Sequence, residues 1–187
     1  MYLFLIPLIL GFGLAGASAF TAFYSRIWGV KGGQWVTIIL RNILGIPLWF
    51  LGFILGWREE ARWLWTPGIE TLAWSWLLMI AGSLPVAWGH LKLGWRTHMP
   101  SIQDSLVRDW LYGYVRHPIY AGGFLIFAGL ALLKPTYTVV LACGFGIIWL
   151  IVQARLEEID LIQRLPAYSD YMKEVPRFVP RLQKRRP

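Results

Sequence analysis

Residues 114–122 read Tyr114-Val115-Arg116-His117-Pro118-Ile119-Tyr120-Ala121-Gly122. The stretch sets a cation, an imidazole, a phenol and two backbone punctuators at the head of an apolar run that begins at Ile119. Proline is favoured in the first turn of a helix, where its missing N–H would have no partner anyway, so Pro118 reads as a helix start. The apolar run 119–133 is followed by Lys134-Pro135 and then by a second apolar run, 136–152. Two runs joined so closely fold back as a tight helical hairpin. Each is short for a membrane span, which needs roughly 20 residues to cross about 30 Å of hydrocarbon, so the hairpin is expected to extend past the hydrocarbon at its cytoplasmic ends.

The rest of the chain has the same character. Of 187 residues, 57% are hydrophobic and 12 are Trp, and the mean hydropathy is +0.51, whereas soluble domains are roughly 45–50% apolar. The reading is an all-α polytopic membrane protein of about five transmembrane helices. It is one integral membrane domain, 1–187: residues 1–91 supply three spans, and 92–187 supply a polar connection, the hairpin and a cytoplasmic helical tail. The upstream spans are the apolar runs 1–24, 35–57 and 69–91. No basic region precedes the first, which is therefore read as a retained span. Trp63, Trp65, Trp74, Trp76 and Trp88 border the third as an interfacial aromatic belt.

A net charge of +8 invites a nucleic-acid reading, but the Lys and Arg residues sit between apolar runs and in the tail, not along one soluble face. Topology explains them: cytoplasmic loops carry the excess of Lys and Arg, which also attract anionic membrane lipids. The loop holding Arg26 and Lys31, the connection 92–116 and the tail are basic, while Arg58, Glu59, Glu60 and Arg62 balance. That places the N-terminus outside and the C-terminus in the cytoplasm. Cys143 lies alone in an apolar run, and the three His residues are dispersed, so neither a disulfide framework nor a metal site is expected. Arg41 stands about two turns inside its run, where a charge is expensive unless it snorkels or faces the bundle interior. Snorkelling is the reading taken. His90 closes the third span as an interfacial residue able to face a site built by the next segment.

Two polar clusters flank the hairpin. Tyr112, Tyr114, Arg116, His117 and Tyr120 enter it; Arg155, Glu157, Glu158 and Asp160 leave it, followed by Tyr168, Tyr171 and Arg177. A hairpin returns its ends to the same side, so the clusters meet at the cytoplasmic interface. Each has a plainer reading alone, as a helix start or as surface ion pairs of small energetic weight. Together they suit a pocket in which cations hold an anion, carboxylates accept from hydroxyls or an ammonium, and aromatic rings cover a flat ring or a cation. The chemistry fitted is a charged soluble cofactor meeting a lipidic substrate.

Arg116-His117-Pro118-Ile119-Tyr120-Ala121-Gly122 resembles the RHPxYxG signature of the isoprenylcysteine carboxyl methyltransferase family of integral membrane methyltransferases, which has prokaryotic members and is related to the phospholipid methyltransferases. The second half of that pattern is similar as well: Glu157-Glu158, Leu161, Tyr168-x-x-Tyr171 and Val175-Pro176-Arg177-Phe178-Val179-Pro180. The resemblance spans residues 90–182. Where the family has Phe-Gly before the Tyr-x-x-Tyr, this chain has Leu165-Pro166. The resemblance implies a prokaryotic cytoplasmic-membrane enzyme that binds S-adenosylmethionine between hairpin and tail and takes a lipidic or hydrophobic acceptor, a carboxylate or an amine, laterally from the bilayer. The cofactor-binding residues implied are Tyr114, Arg116, His117, Pro118, Tyr120, Gly122, Glu157, Glu158, Tyr168 and Tyr171. Arg116 and His117 are assigned to the methionyl carboxylate, Glu157 and Glu158 to ribose hydroxyls or the amino group, and the tyrosines to adenine or sulfonium. Arg116, His117 and Glu158 also stand as the catalytic candidates. A membrane reductase using NADPH is the alternative, because sterol reductases of related fold carry a similar Arg-His-Pro-Asn-Tyr segment; a non-catalytic scaffold or lipid-binding protein is another.

Overall fold

Hydrocarbon offers no water to bond a free N–H or C=O, so an apolar chain satisfies its backbone within helices. The structure, a computed structural model, describes residues 2–180; the end of the basic tail, 181–187, and Met1 lie outside the described residues. Among the described residues there is no β-strand, only an isolated antiparallel bridge between Trp63 and Thr136. The helices are α1 (Leu5–Ala17), α2 (Thr21–Thr37), a π-helical segment (Ile38–Gly45), α3 (Ile46–Arg58), α4 (Ile69–Leu93), α5 (Pro118–Leu133), α6 (Tyr137–Arg164) and α7 (Tyr168–Glu174), with 3-10 turns at Gly94–Thr97 and Trp110–Gly113.

Among the described residues three helices are long and apolar enough to cross a membrane, Thr21–Arg58, Ile69–Thr97 and Tyr137–Arg164, and α1 and α5 are shorter apolar helices. The boundaries differ from the sequence reading in two places. The first apolar run is broken between α1 and α2, and helical structure then continues from Thr21 to Arg58 instead of starting at Trp35. That stretch is not straight. Gly29 has φ 70° and ψ 173°, a backbone that a side chain would strain. The chain doubles back there, so closely that a Cβ on Gly33 would lie 2.8 Å from Ser25 N. The second difference is at the tail. The polar segment from Arg155, expected to open it, forms the last turns of α6, because no breaker occurs before Leu165, whose following Pro166 disfavours helix. The tail's own helix is the short α7.

Lipid gives two helices no hydrophobic push together, so close contact depends on small residues that let backbones approach. α1 runs antiparallel to α3 on this principle: a Cβ on Gly52 would lie 2.7 Å from Leu8 N, and Gly56 faces Phe4. α4 and α5 repeat it, with a Cβ on Gly82 only 2.5 Å from Gly122 O and one on Gly129 2.7 Å from Ser75 O. Aromatic stacks join α6 and α5 to the N-terminal pair. Phe12 lies on Trp149 (5.3 Å, 14°) and Phe53 on Phe127 (5.3 Å, 5°).

The bundle has two distinct ends. At one, Leu64 N donates to Pro135 O at 2.8 Å, Tyr137 N to Arg62 O at 3.0 Å, and the Lys134 ammonium to Trp57 O. At the other lie the α1–α2 break, the connection after α4 and the tail, joined where Ala22 N donates to Asp160 Oδ1 at 2.6 Å. Between the ends, large apolar side chains such as Ile80 and Leu84 stay 60% and 67% exposed, as a surface facing hydrocarbon requires.

Candidate active site

The tail lies directly alongside the signature stretch. Arg116 N donates to Pro176 O at 2.9 Å and His117 N to Arg177 O at 3.0 Å, immediately before Pro118 opens α5. Facing them, α6 presents Glu157 and Glu158. Successive helical residues point about 100° apart, so the two carboxylates serve different neighbours. Glu158, 2% exposed, turns to the tail. It accepts from Arg177 Nε at 3.0 Å and Nη2 at 2.6 Å, pairs with Arg116 Nη2 at 3.1 Å, and meets His117 Nε2 at 3.2 Å. A carboxylate buried this deeply is tolerable only with such pairing. Arg116 also donates to Met172 O at 3.1 Å. Glu157 turns the other way and accepts from the Tyr120 hydroxyl at 2.5 Å and from Gln153 Nε2 at 3.1 Å. The His117 ring lies flat against Tyr120, 5.4 Å between centroids and 8° from parallel.

Glu157 and Tyr120 border a cavity of about 390 Å³, a size usual for small-molecule sites. One wall is ionic. Arg164 Nε bonds Asp160 at 2.6 Å, and its Nη1 reaches Asp104 at 3.2 Å and Ser101 O at 2.6 Å, which ties the connection to the end of α6. A second wall is aromatic. The Tyr171 hydroxyl donates to Tyr112 O at 2.5 Å, and Tyr168 meets Tyr171 edge-on at 5.5 Å. Burial pushes the Tyr171 phenol up to about 12, and it raises Tyr112 and Tyr168 in the same direction, so all three are neutral donors at physiological pH. The third wall comes from the first half of the chain: Ser18, Ala19 and Thr21 at the α1–α2 break, Arg41 and Asn42 on the π segment, and Ile46 and Trp49 on α3.

Of the ten cofactor-binding residues that the resemblance implies, Arg116, His117, Pro118, Tyr120, Glu157, Tyr168 and Tyr171 line this cavity, and so do His90, Tyr112, Asp160 and Arg41 from the other residues singled out. Three do not. Glu158 is spent on two arginines and a histidine behind the wall. Tyr114 follows the second 3-10 turn with 61% exposure. Gly122 is used for packing, since a Cβ there would strike the Gly82 carbonyl of α4. Arg155 is exposed on α6. The sequence reading missed the contributions of Ser18, Thr21, Asn42, Trp49, His98 and Arg164. For the first half of the chain the one available signal was the charge of Arg41 inside an apolar run.

Residues 71–165, just over half of the chain, match the phospholipid methyltransferase family, and the chain belongs to that family. It lies in the same membrane methyltransferase superfamily as the isoprenylcysteine carboxyl methyltransferases. No curated protein and no solved structure matches the chain. With its long apolar helices, the chain is an integral membrane protein of a methyltransferase family. The matched segment carries α4, the connection, α5 and α6, and so holds His117, Tyr120, Glu157 and Glu158; the first 70 residues and the tail after 165 fall outside it.

Proposed function

We propose that this protein transfers a methyl group from S-adenosylmethionine to a lipidic or hydrophobic acceptor at the cytoplasmic face of a prokaryotic cytoplasmic membrane. The observation that carries the reading is the cavity into which the family-matched segment turns Glu157, Tyr120 and His117. Its donor set fits the cofactor: a carboxylate for hydroxyls or an ammonium, neutral phenol rings for a sulfonium or adenine, and room for both. The cofactor supplies a methyl group on a sulfonium, whose charge disperses in an in-line displacement. The protein's part is then positioning and exclusion of water.

Tyr120 fixes the Glu157 carboxylate through its hydroxyl, and His117 fixes the Tyr120 ring by stacking. Glu158 is a positioning residue: it holds Arg116 and His117 in place and anchors the tail through Arg177. A carboxylate acceptor needs no base; an amine acceptor could pass its proton to Glu157 or His117. The five apolar rods are proposed to cross as five spans with the C-terminus cytoplasmic, as the basic connection and tail favour. Calorimetry of S-adenosylmethionine with detergent-purified protein tests the proposal, with NADPH as the paired ligand. Micromolar binding of the first alone, weakened in Glu157→Gln, is the expected result; binding of NADPH alone would replace the methyltransferase reading with a reductase.

A further inference from the structure

Among the described residues four arginines line the cavity, and three already have carboxylate partners. Arg96 faces Asp104 at 3.7 Å, Arg116 faces Glu158 at 3.1 Å, and Arg164 meets Asp160 at 2.6 Å and Asp104 at 3.2 Å. Arg41 pairs with no carboxylate among the described residues, and its Nε and Nη2 are buried with no hydrogen-bond acceptor. A guanidinium that could snorkel would carry those nitrogens to water. These are held inside the cavity wall instead, so the snorkelling reading gives way. A buried donor without a protein partner is costly, so these nitrogens are open to an acceptor from outside the chain.

The backbone around Arg41 supports this. It sits within the π-helical segment Ile38–Gly45, a rare conformation that is frequent at functional sites. The wide turn puts two consecutive residues, Arg41 and Asn42, on the cavity wall. Asn42 Nδ2 donates to His98 O at 3.2 Å, which fastens the polar connection beside Arg41, and Asn42 Oδ1 is buried and unpartnered as well. Further along the same rod Ile46 and Trp49 line the cavity, with Trp49 stacked near Phe12 (6.1 Å, 23°) in the apolar middle of the bundle. One wall thus presents a free cation at its polar end and apolar side chains deeper in.

We propose that Arg41 is the anchor for the anionic group of the acceptor: it takes the carboxylate or phosphate of an amphiphile whose apolar chain lies along Ile46 and Trp49. The inference rests on the methyltransferase reading above and deepens it by naming the charge of the acceptor. A guanidinium suits the task because its planar fork can bond such an anion through two donors at once.

The test uses the purified full chain in neutral phosphatidylcholine nanodiscs with a photoreactive dodecanoic acid bearing a diazirine near its chain end. Labelling is expected on the peptide that holds Trp49, competed by dodecanoate and dodecyl phosphate but not by dodecyltrimethylammonium. It should fall about tenfold in Arg41→Gln, the loss of one charge-assisted pair, and return only in part in Arg41→Lys, which keeps the charge but not the two-donor fork. Calorimetry of S-adenosylmethionine on the same samples should be unchanged by Arg41→Gln. Equal labelling in wild type and Arg41→Gln, or competition by the cationic amphiphile, overturns the proposal. So does loss of S-adenosylmethionine affinity in Arg41→Gln with labelling intact, because Arg41 would then hold the cofactor's own carboxylate. If wild type binds no S-adenosylmethionine yet Arg41-dependent labelling persists, the anion subsite stands and the methyltransferase reading fails.

Discussion

Arg177 and Glu158 face each other as a fork, Nε to Oε1 at 3.0 Å and Nη2 to Oε2 at 2.6 Å. The pair joins the tail to α6 across 19 residues, and through Arg116 and His117 it reaches the signature stretch. Removing Glu158 leaves two arginines without their carboxylate, whereas removing Arg177 leaves Glu158 still paired with Arg116. Glu158→Gln strands Arg116, whose side chain is 8% exposed, and is expected to destabilise the protein by about 3–5 kcal/mol. Arg177 is less buried, and Arg177→Ala is expected to cost about 1.5–3 kcal/mol. Denaturant unfolding in detergent, followed by circular dichroism, measures both.

Glu157 and Tyr120 should behave differently from Glu158. Glu157→Gln is expected to weaken S-adenosylmethionine binding by about tenfold, or about 1.4 kcal/mol, with little change in unfolding. Tyr120→Phe removes the hydroxyl that fixes Glu157 and should weaken binding less. Calorimetry beside an unfolding curve separates the two glutamates; a stability loss with unchanged affinity in Glu157→Gln would reverse the roles given to them.

The α4–α5 contact predicts a steric effect. Gly122→Ala puts a methyl group against the Gly82 carbonyl, and overpacking of this kind costs about 1–3 kcal/mol. Gly13→Ala, where a Cβ meets nothing within 4 Å, is the control and should leave thermal unfolding unchanged.

The Tyr171 phenol gives a pH signature outside the spans. Burial raises its ionisation to about 12 from an ordinary 10.0. A raised folded-state value means its contribution is complete below the unfolded value and is lost as pH rises towards the folded one. Stability should therefore fall between pH 10 and 12. Tyr171→Phe should flatten part of that fall, with Tyr112 and Tyr168 supplying the remainder, and should lower stability at neutral pH by about 1–3 kcal/mol because Tyr112 O loses its donor. Unfolding midpoints across alkaline pH measure this.

Residue chemistry alone made the helical membrane character of this chain legible, along with the neighbourhood of Arg116, His117 and Tyr120 with Glu157. Apolar runs without strand alternation admit little else in lipid, and a short connection such as Lys134-Pro135 leaves its flanking helices few arrangements. What was hidden is rotational. Nothing in the pair Glu157-Glu158 says which side chain faces the cavity, because that depends on how α6 is turned about its axis against Arg116 and Arg177. The N-terminal wall was hidden for another reason. Ser18, Thr21 and Trp49 lie in apolar runs without a polar stripe, and they reach the site through a long-range contact, Ala22 N to Asp160 Oδ1, that local pattern does not encode. The bend at Gly29 lies in a glycine-rich loop that names no particular glycine as its pivot.

Methyl transfer from S-adenosylmethionine to a membrane-borne acceptor can be read directly. Purified protein in nanodiscs made from a bacterial lipid extract, incubated with tritium-methyl S-adenosylmethionine, reports it as label recovered in the organic phase. Time-dependent label, strongly reduced in Glu157→Gln, is the expected result. Label indistinguishable from protein-free nanodiscs, from protein that calorimetry shows to be saturated with the cofactor, would contradict it.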